Sequence, residues 1–100
     1  MSPLQRSKKY LEEQGYLVAI VEKWNPWAKV RQDLFGIFDL LAVKPEDTIA
    51  VQVTTLAHMN EREKKMKNSS HLAMMPIIWG KEIHGWRKLK SGWQVKIKEL

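Results

Sequence analysis

The sequence predicts a single α/β domain, with elements in the order α-β-β-β-α-β-β. Three observations carry that expectation. Two segments bring their own helix-start signals, at Ser2-Pro3 and at Asn60 with Glu63. Between and after them lie runs of β-branched and aromatic residues bounded by turn chemistry. One hundred residues, 44% hydrophobic and 28% charged, suit one ordered core and not a disordered chain.

Each element follows from its residues. Ser2 is placed to cap the first helix and Pro3 to open it, while Gly15 ends it in the left-handed region. Leu4, Lys8 and Leu11 share one stripe of that helix. Tyr16 to Trp24 is a continuous β-rich run, the first strand, broken by Asn25-Pro26. Trp24 to Gln32 then reads as a loop with two tryptophans, Lys29 and Arg31. It can stack on bases, lie against phosphates, or pack on the sheet as a lid. Ile37 to Val43 is the second strand, Pro45-Glu46-Asp47 a turn, and Thr48 to Thr55 the third strand. Asn60 is the expected cap of a helix in which Met59 and Met66, seven apart, share a face. Pro76 ends the short apolar stretch from His71, and Ile77 to Trp79 is a strand candidate stopped by Gly80. Gly85 to Leu89 and Trp93 to Lys98 form a hairpin about Ser91-Gly92. In its second arm Trp93, Val95 and Ile97 point inward; Gln94, Lys96 and Lys98 point outward and guard the edge.

Composition narrows the function classes. No apolar run approaches the roughly 20 residues a bilayer span needs, and the first residues lack the apolar stretch of a signal peptide. There is no cysteine, which excludes disulfides and thiolate metal sites and suggests a cytoplasmic protein. His58, His71 and His84 are 13 residues apart, no zinc-ligand spacing, and there is no Gly-rich phosphate loop. Residues 1–55 hold seven Lys/Arg against seven Asp/Glu, whereas 56–100 hold ten against four and so account for the net +6. A basic half beside a neutral one suits a polyanionic partner or, more plainly, a solvated basic surface.

Asp39 is the residue that asks for chemistry. A carboxylate inside the apolar run Ile37–Val43 is costly to bury unless it is paired or holds a cation. Gln52 and Thr54 lie two apart on the next strand and therefore on one face. Asp33, just ahead in Asp33-Leu34-Phe35-Gly36, reads either as a second carboxylate for a divalent cation or as a loop aspartate making a turn bond.

Phe38-Asp39-Leu40, a hairpin, and Val51-Gln52-Val53-Thr54 together resemble the core of the PD-(D/E)xK nuclease superfamily, which includes Holliday-junction resolvases and small phage VRR-type nucleases. The likeness covers roughly residues 4 to 66, with Gln52 where an acid is usual and Thr54 where lysine is usual. It implies a restriction-endonuclease-like core over residues 1–100, a central mixed sheet flanked by helices. It also implies a Mg²⁺- or Mn²⁺-dependent DNA endonuclease acting on branched DNA. A chain too small to grip such DNA alone is expected to work as a homodimer. By the resemblance, Asp39, Gln52 and the Val53 carbonyl hold the ion, and Asp39, Gln52, Thr54 and Asp33 form the catalytic set. The first helix often adds a carboxylate in such proteins; here Gln5 stands at the comparable place. Lys29, Arg31, Arg62, Lys64 and Lys65 are the expected nucleic-acid contacts, with Lys64 or Lys65 replacing the missing lysine in space, or simply forming a solvated helix face. The amide and the threonine imply weak metal affinity and low activity, unless Asp33, Lys29 or Lys64 fills in. Two other readings stay open: a nucleic-acid-binding protein that kept the fold without the chemistry, and a protein-interaction subunit.

Overall fold

In the computed structural model, which describes residues 1–100, the first helix begins where its cap predicts. Helix α1 spans Pro3–Glu13; the Ser2 hydroxyl accepts from the Gln5 amide at 3.2 Å, and Pro3 occupies the first turn. Gly15 follows at φ 92°, the left-handed conformation that lets the chain turn back into the sheet.

Strands β1 (Leu17–Ile20), β4 (Leu40–Lys44), β5 (Asp47–Thr55), β6 (Gly80–Leu89) and β7 (Gly92–Glu99) form one sheet in the order β1-β4-β5-β6-β7. Only β5 and β6 are parallel, so the sheet is mixed. A parallel pair needs a crossover, and helix α2 (Met59–Lys67) with the segment after it provides one. Alternate residues of β5 reach opposite faces. Ile49 and Val51 pack with Leu11 of α1, while Ala50 packs with Met59 and Met66 of α2. The result is one helix on each face of the sheet, and the expected shared face of Met59 and Met66 is present. Glu63 ties α2 to the sheet through Lys98 at 2.8 Å, which with Lys67 holds its carboxyl below the usual range.

The structure departs from the sequence expectation in five places. Tyr16 to Trp24 is not one strand: β1 stops at Ile20, and the segment expected as a loop pairs with itself as a two-stranded ribbon, β2 (Lys23–Asn25) with β3 (Val30–Gln32). The element order is therefore α-β-β-β-β-β-α-β-β. The Ile37–Val43 strand begins only at Leu40, because a tight reversal occupies Asp33 to Phe38. Asn60 lies inside α2 and caps nothing; His58 precedes the helix without a side-chain cap bond, and a 3₁₀ turn, Leu56–His58, leads into it. Ile77 to Trp79 is no strand: Ile77 and Ile78 are exposed in a turn, and Gly80 begins β6 instead of ending a strand. In the last hairpin the alternation holds for Val95 and Ile97, but Trp93 stays partly exposed beneath the Arg6 guanidinium, 4.3 Å from its ring centre.

A candidate metal centre beside a basic groove

Three chain segments meet at one point on the sheet. Strand β1 runs out at Ile20, β4 enters at Leu40, and β5 passes between β4 and β6. Asp39 is pinned there by its backbone, whose carbonyl accepts from Val21 and whose amide donates to the Val51 carbonyl, both at 2.8 Å. The residue is 5% exposed. Asp39 Oδ2 accepts from Gln52 Nε2 at 2.7 Å and from the Val53 amide at 2.8 Å. Acid and amide from neighbouring strands thus meet, as the hairpin register between β4 and β5 requires.

Asp33 reaches the same point through the reversal after β3. Phe35 and Gly36 take φ values of 55° and 73°, Gly36 donates to the Asp33 carbonyl at 3.0 Å, and Leu34 donates to the Phe38 carbonyl at 2.8 Å. Phe35 is an uncommon residue for that conformation, and such strain persists only where the surroundings fix it. The His71 ring closes the turn, donating from Nδ1 to the Phe35 carbonyl at 3.1 Å. Glu22, which directly follows Val21, is the third acid. One oxygen from each of Glu22, Asp33 and Asp39 lies within 4.8 Å of the others.

Electrostatics follow from that crowding. Burial chiefly, then a hydrogen bond from Asp33 and the charges of Asp33 and Glu22, push the Asp39 carboxyl from its usual 3.8 up to about 8; the Val53 amide pulls the other way. Three acids so close repel one another when all are ionised, which favours a proton or a cation among them. The donor set fits a hard divalent ion, which takes oxygen ligands and whose charge would take the place of that proton. Glu22, Asp33 and Asp39 are the residues able to hold it. Gln52 presents its amide nitrogen to Asp39, so in this arrangement it orients the acid and does not offer its oxygen to an ion.

Asp39 and Glu22 border a cleft of about 370 Å³ whose walls include Thr54, His58 and Arg62. Arg62 also lines the adjoining depression of about 610 Å³, which holds Arg31, Asp33 and Lys65. The expected nucleic-acid contacts therefore divide. Arg31, Arg62 and Lys65 converge beside the acids. Lys64 is exposed on α2 outside both hollows, and Lys29 sits in the turn of the ribbon at φ 54°. Arg31 additionally pairs with Glu22 at 3.1 Å. The basic residue that shares a cleft with Asp39 and Thr54 is Arg62, where sequence reasoning puts Lys64 or Lys65. Gln5 is exposed and lines neither hollow; its neighbours Ser2, Pro3 and Leu4 form the wall.

Glu22 escapes the sequence reading because it sits at the end of an apolar run read as one strand through Trp24. A signal for it exists: an acid closing a β-rich stretch, just before a turn, repeats the placement of Asp39 at the head of the next strand. No protein-family model, curated protein or solved structure matches this chain. No helix is long and apolar enough to cross a membrane. Function must therefore be read from the shape and chemistry of the site itself.

Proposed function

We propose that this protein is a metal-dependent endonuclease with a restriction-endonuclease-like core, cutting phosphodiester bonds in branched DNA as a homodimer. The observation that carries the reading is the cluster of Glu22, Asp33 and Asp39 at the mouth of a groove lined by Arg31, Arg62 and Lys65. Mg²⁺ or Mn²⁺ held there would polarise the phosphate and lower the pKa of an attacking water. The remaining work falls to the chain. Gln52 and the Val53 amide fix the Asp39 rotamer through two bonds to one oxygen, leaving Oδ1 free of both. Arg62 offers a permanent charge and a planar set of donors to a phosphate, but it cannot exchange a proton at neutral pH. Thr54 can place a water by hydrogen bonding and supplies no charge. This site lacks the lysine of the resemblance, so the proton of the attacking water passes to solvent or to a carboxylate of the cluster.

A second reading is favoured by one contact. Arg31 already neutralises part of Glu22, which weakens the pull on a cation and suits a protein that binds nucleic acid without cutting it. Cleavage of a four-way DNA junction with Mg²⁺ and with Mn²⁺ separates the two. The endonuclease reading expects nicks that vanish in Asp39→Ala while its circular dichroism stays native. Unchanged cleavage by that variant puts the chemistry elsewhere, and salt-sensitive binding without cleavage leaves the binding protein.

A further inference from the structure

The β2–β3 ribbon is a strand pair set apart from the main sheet. Trp27 at its turn is 95% exposed and Trp24 on its shaft 58%, so the tryptophans do not pack it down as a lid. Two open indole rings on one short basic ribbon offer flat π-faces on which bases can stack. The turn is nevertheless held in shape: the Asn25 side-chain oxygen accepts from the Trp27 amide at 3.0 Å and from the Ala28 amide at 3.1 Å. Pro26 between them fixes one more φ. From Lys23 to Gln32 the ribbon carries Lys23, Lys29 and Arg31 and no acid. Trp24 stands directly opposite Arg31 in the register, hence on the same face, and Arg31 lines the hollow that contains Asp33.

From these features we infer that the ribbon is a stacking arm, which places Trp27 against an unpaired base of a nucleic-acid strand while its three cations follow the phosphates. Charge complementarity selects a polyanion, and the exposed rings select one with open π-faces, which a fully paired duplex hides. A preformed turn lowers the ordering cost of such a contact. The inference rests on the nucleic-acid reading above and names what the substrate must contain: bases out of the stack, as at a branch, bubble or flap.

The test is binding by fluorescence anisotropy, in EDTA so that no cleavage occurs, to a labelled duplex with a central unpaired bubble and to the fully paired duplex of equal length. The wild type is expected to prefer the bubble. Trp27→Ala, safe for the fold because the side chain touches little, should bind the bubble about tenfold more weakly and the duplex within about twofold. Trp27→Phe should recover most of the loss. A 2-aminopurine placed in the bubble should be quenched by the wild type and not by Trp27→Ala. Equal affinity for bubble and duplex in the wild type, or equal loss on both in the variant, overturns the stacking arm. Because EDTA removes the chemistry, a protein that never cuts DNA can still pass this test, and an active nuclease can fail it.

Discussion

Replacing Asp39 with asparagine should stabilise the metal-free protein at alkaline pH and abolish its response to divalent ions. The amide oxygen so introduced can keep both bonds now made to Gln52 and Val53, and the accompanying NH₂ can point toward Asp33 where a protonated Asp39 would. A carboxyl raised from 3.8 to about 8 binds its proton more tightly in the folded state than in the unfolded one. Its contribution is therefore complete below about pH 4 and is lost as pH rises through 8. The whole interval corresponds to ~6 kcal/mol at about 1.36 kcal/mol per pH unit. Solvent at the mouth of the cleft screens part of it, so we expect a loss on the order of 3 kcal/mol between about pH 5 and pH 8.5. Urea unfolding in EDTA at the two pH values measures it. The asparagine variant should lack most of that decline and exceed the wild type at about pH 8.5 by about 2 kcal/mol. Mn²⁺ should restore the wild type at the higher pH, since an ion on the cluster favours the unprotonated acids, and should leave the variant unmoved. Equal stability of the two proteins at the higher pH, or equal Mn²⁺ stabilisation, would refute the account of a crowded acid site.

Three further outcomes test other parts of the structure. Ser7 is fully buried; its hydroxyl accepts from Trp86 Nε1 at 2.7 Å and donates to His84 Nδ1 at 2.9 Å, which leaves the His84 Nε2 proton for Glu82 at 3.0 Å. Ser7→Ala orphans two buried groups and should cost about 2–3 kcal/mol by urea unfolding, with no change in metal binding. At Gly85 an added Cβ would lie 2.8 Å from Met59 Sδ and 3.3 Å from Leu56 Cα, so Gly85→Ala should cost about 1–3 kcal/mol by pushing α2 off the sheet. Arg62→Ala should weaken DNA binding and lower the slope of log affinity against log salt by about one, while the unfolding midpoint stays within experimental error.

The parts of the fold legible in the sequence are those whose local signals act alone. Ser2-Pro3 and Gly15 bound α1 because capping and positive φ need no partner. Asp39 and Gln52 can be paired on paper because a hairpin turn of known length sets which residues face each other. The failures share a different cause. Asn25-Pro26 is strong turn chemistry and hides the fact that β-formers on both sides pair across it, so a ribbon reads as a loop. Ile77 and Ile78 have every local mark of a strand, yet no neighbour covers them, and the parallel register of β6 with β5 starts only at Gly80. Arg62, Lys64 and Lys65 are near neighbours on one short helix, and only the docking angle of α2 decides which of them reach the groove.

The ribbon and the acids are also one construction. Glu22 directly precedes β2 and Asp33 directly follows β3, so two of the three carboxylates stand at the feet of the arm, and its register sets their spacing. Arg31 on its shaft holds Glu22 at 3.1 Å with both side chains open to solvent in part. The same guanidinium therefore opposes the cation and attracts the phosphate. Arg31→Ala should move the two properties in opposite directions: Mn²⁺ affinity up, by as much as about fivefold for an exposed pair worth ~1 kcal/mol or less, and DNA affinity in EDTA down. Calorimetric titration with Mn²⁺ and anisotropy with a labelled junction read the two separately. A variant that loses Mn²⁺ affinity would mean that Arg31 positions Glu22 for the ion, and that the pair is part of the metal site's support, not its competitor.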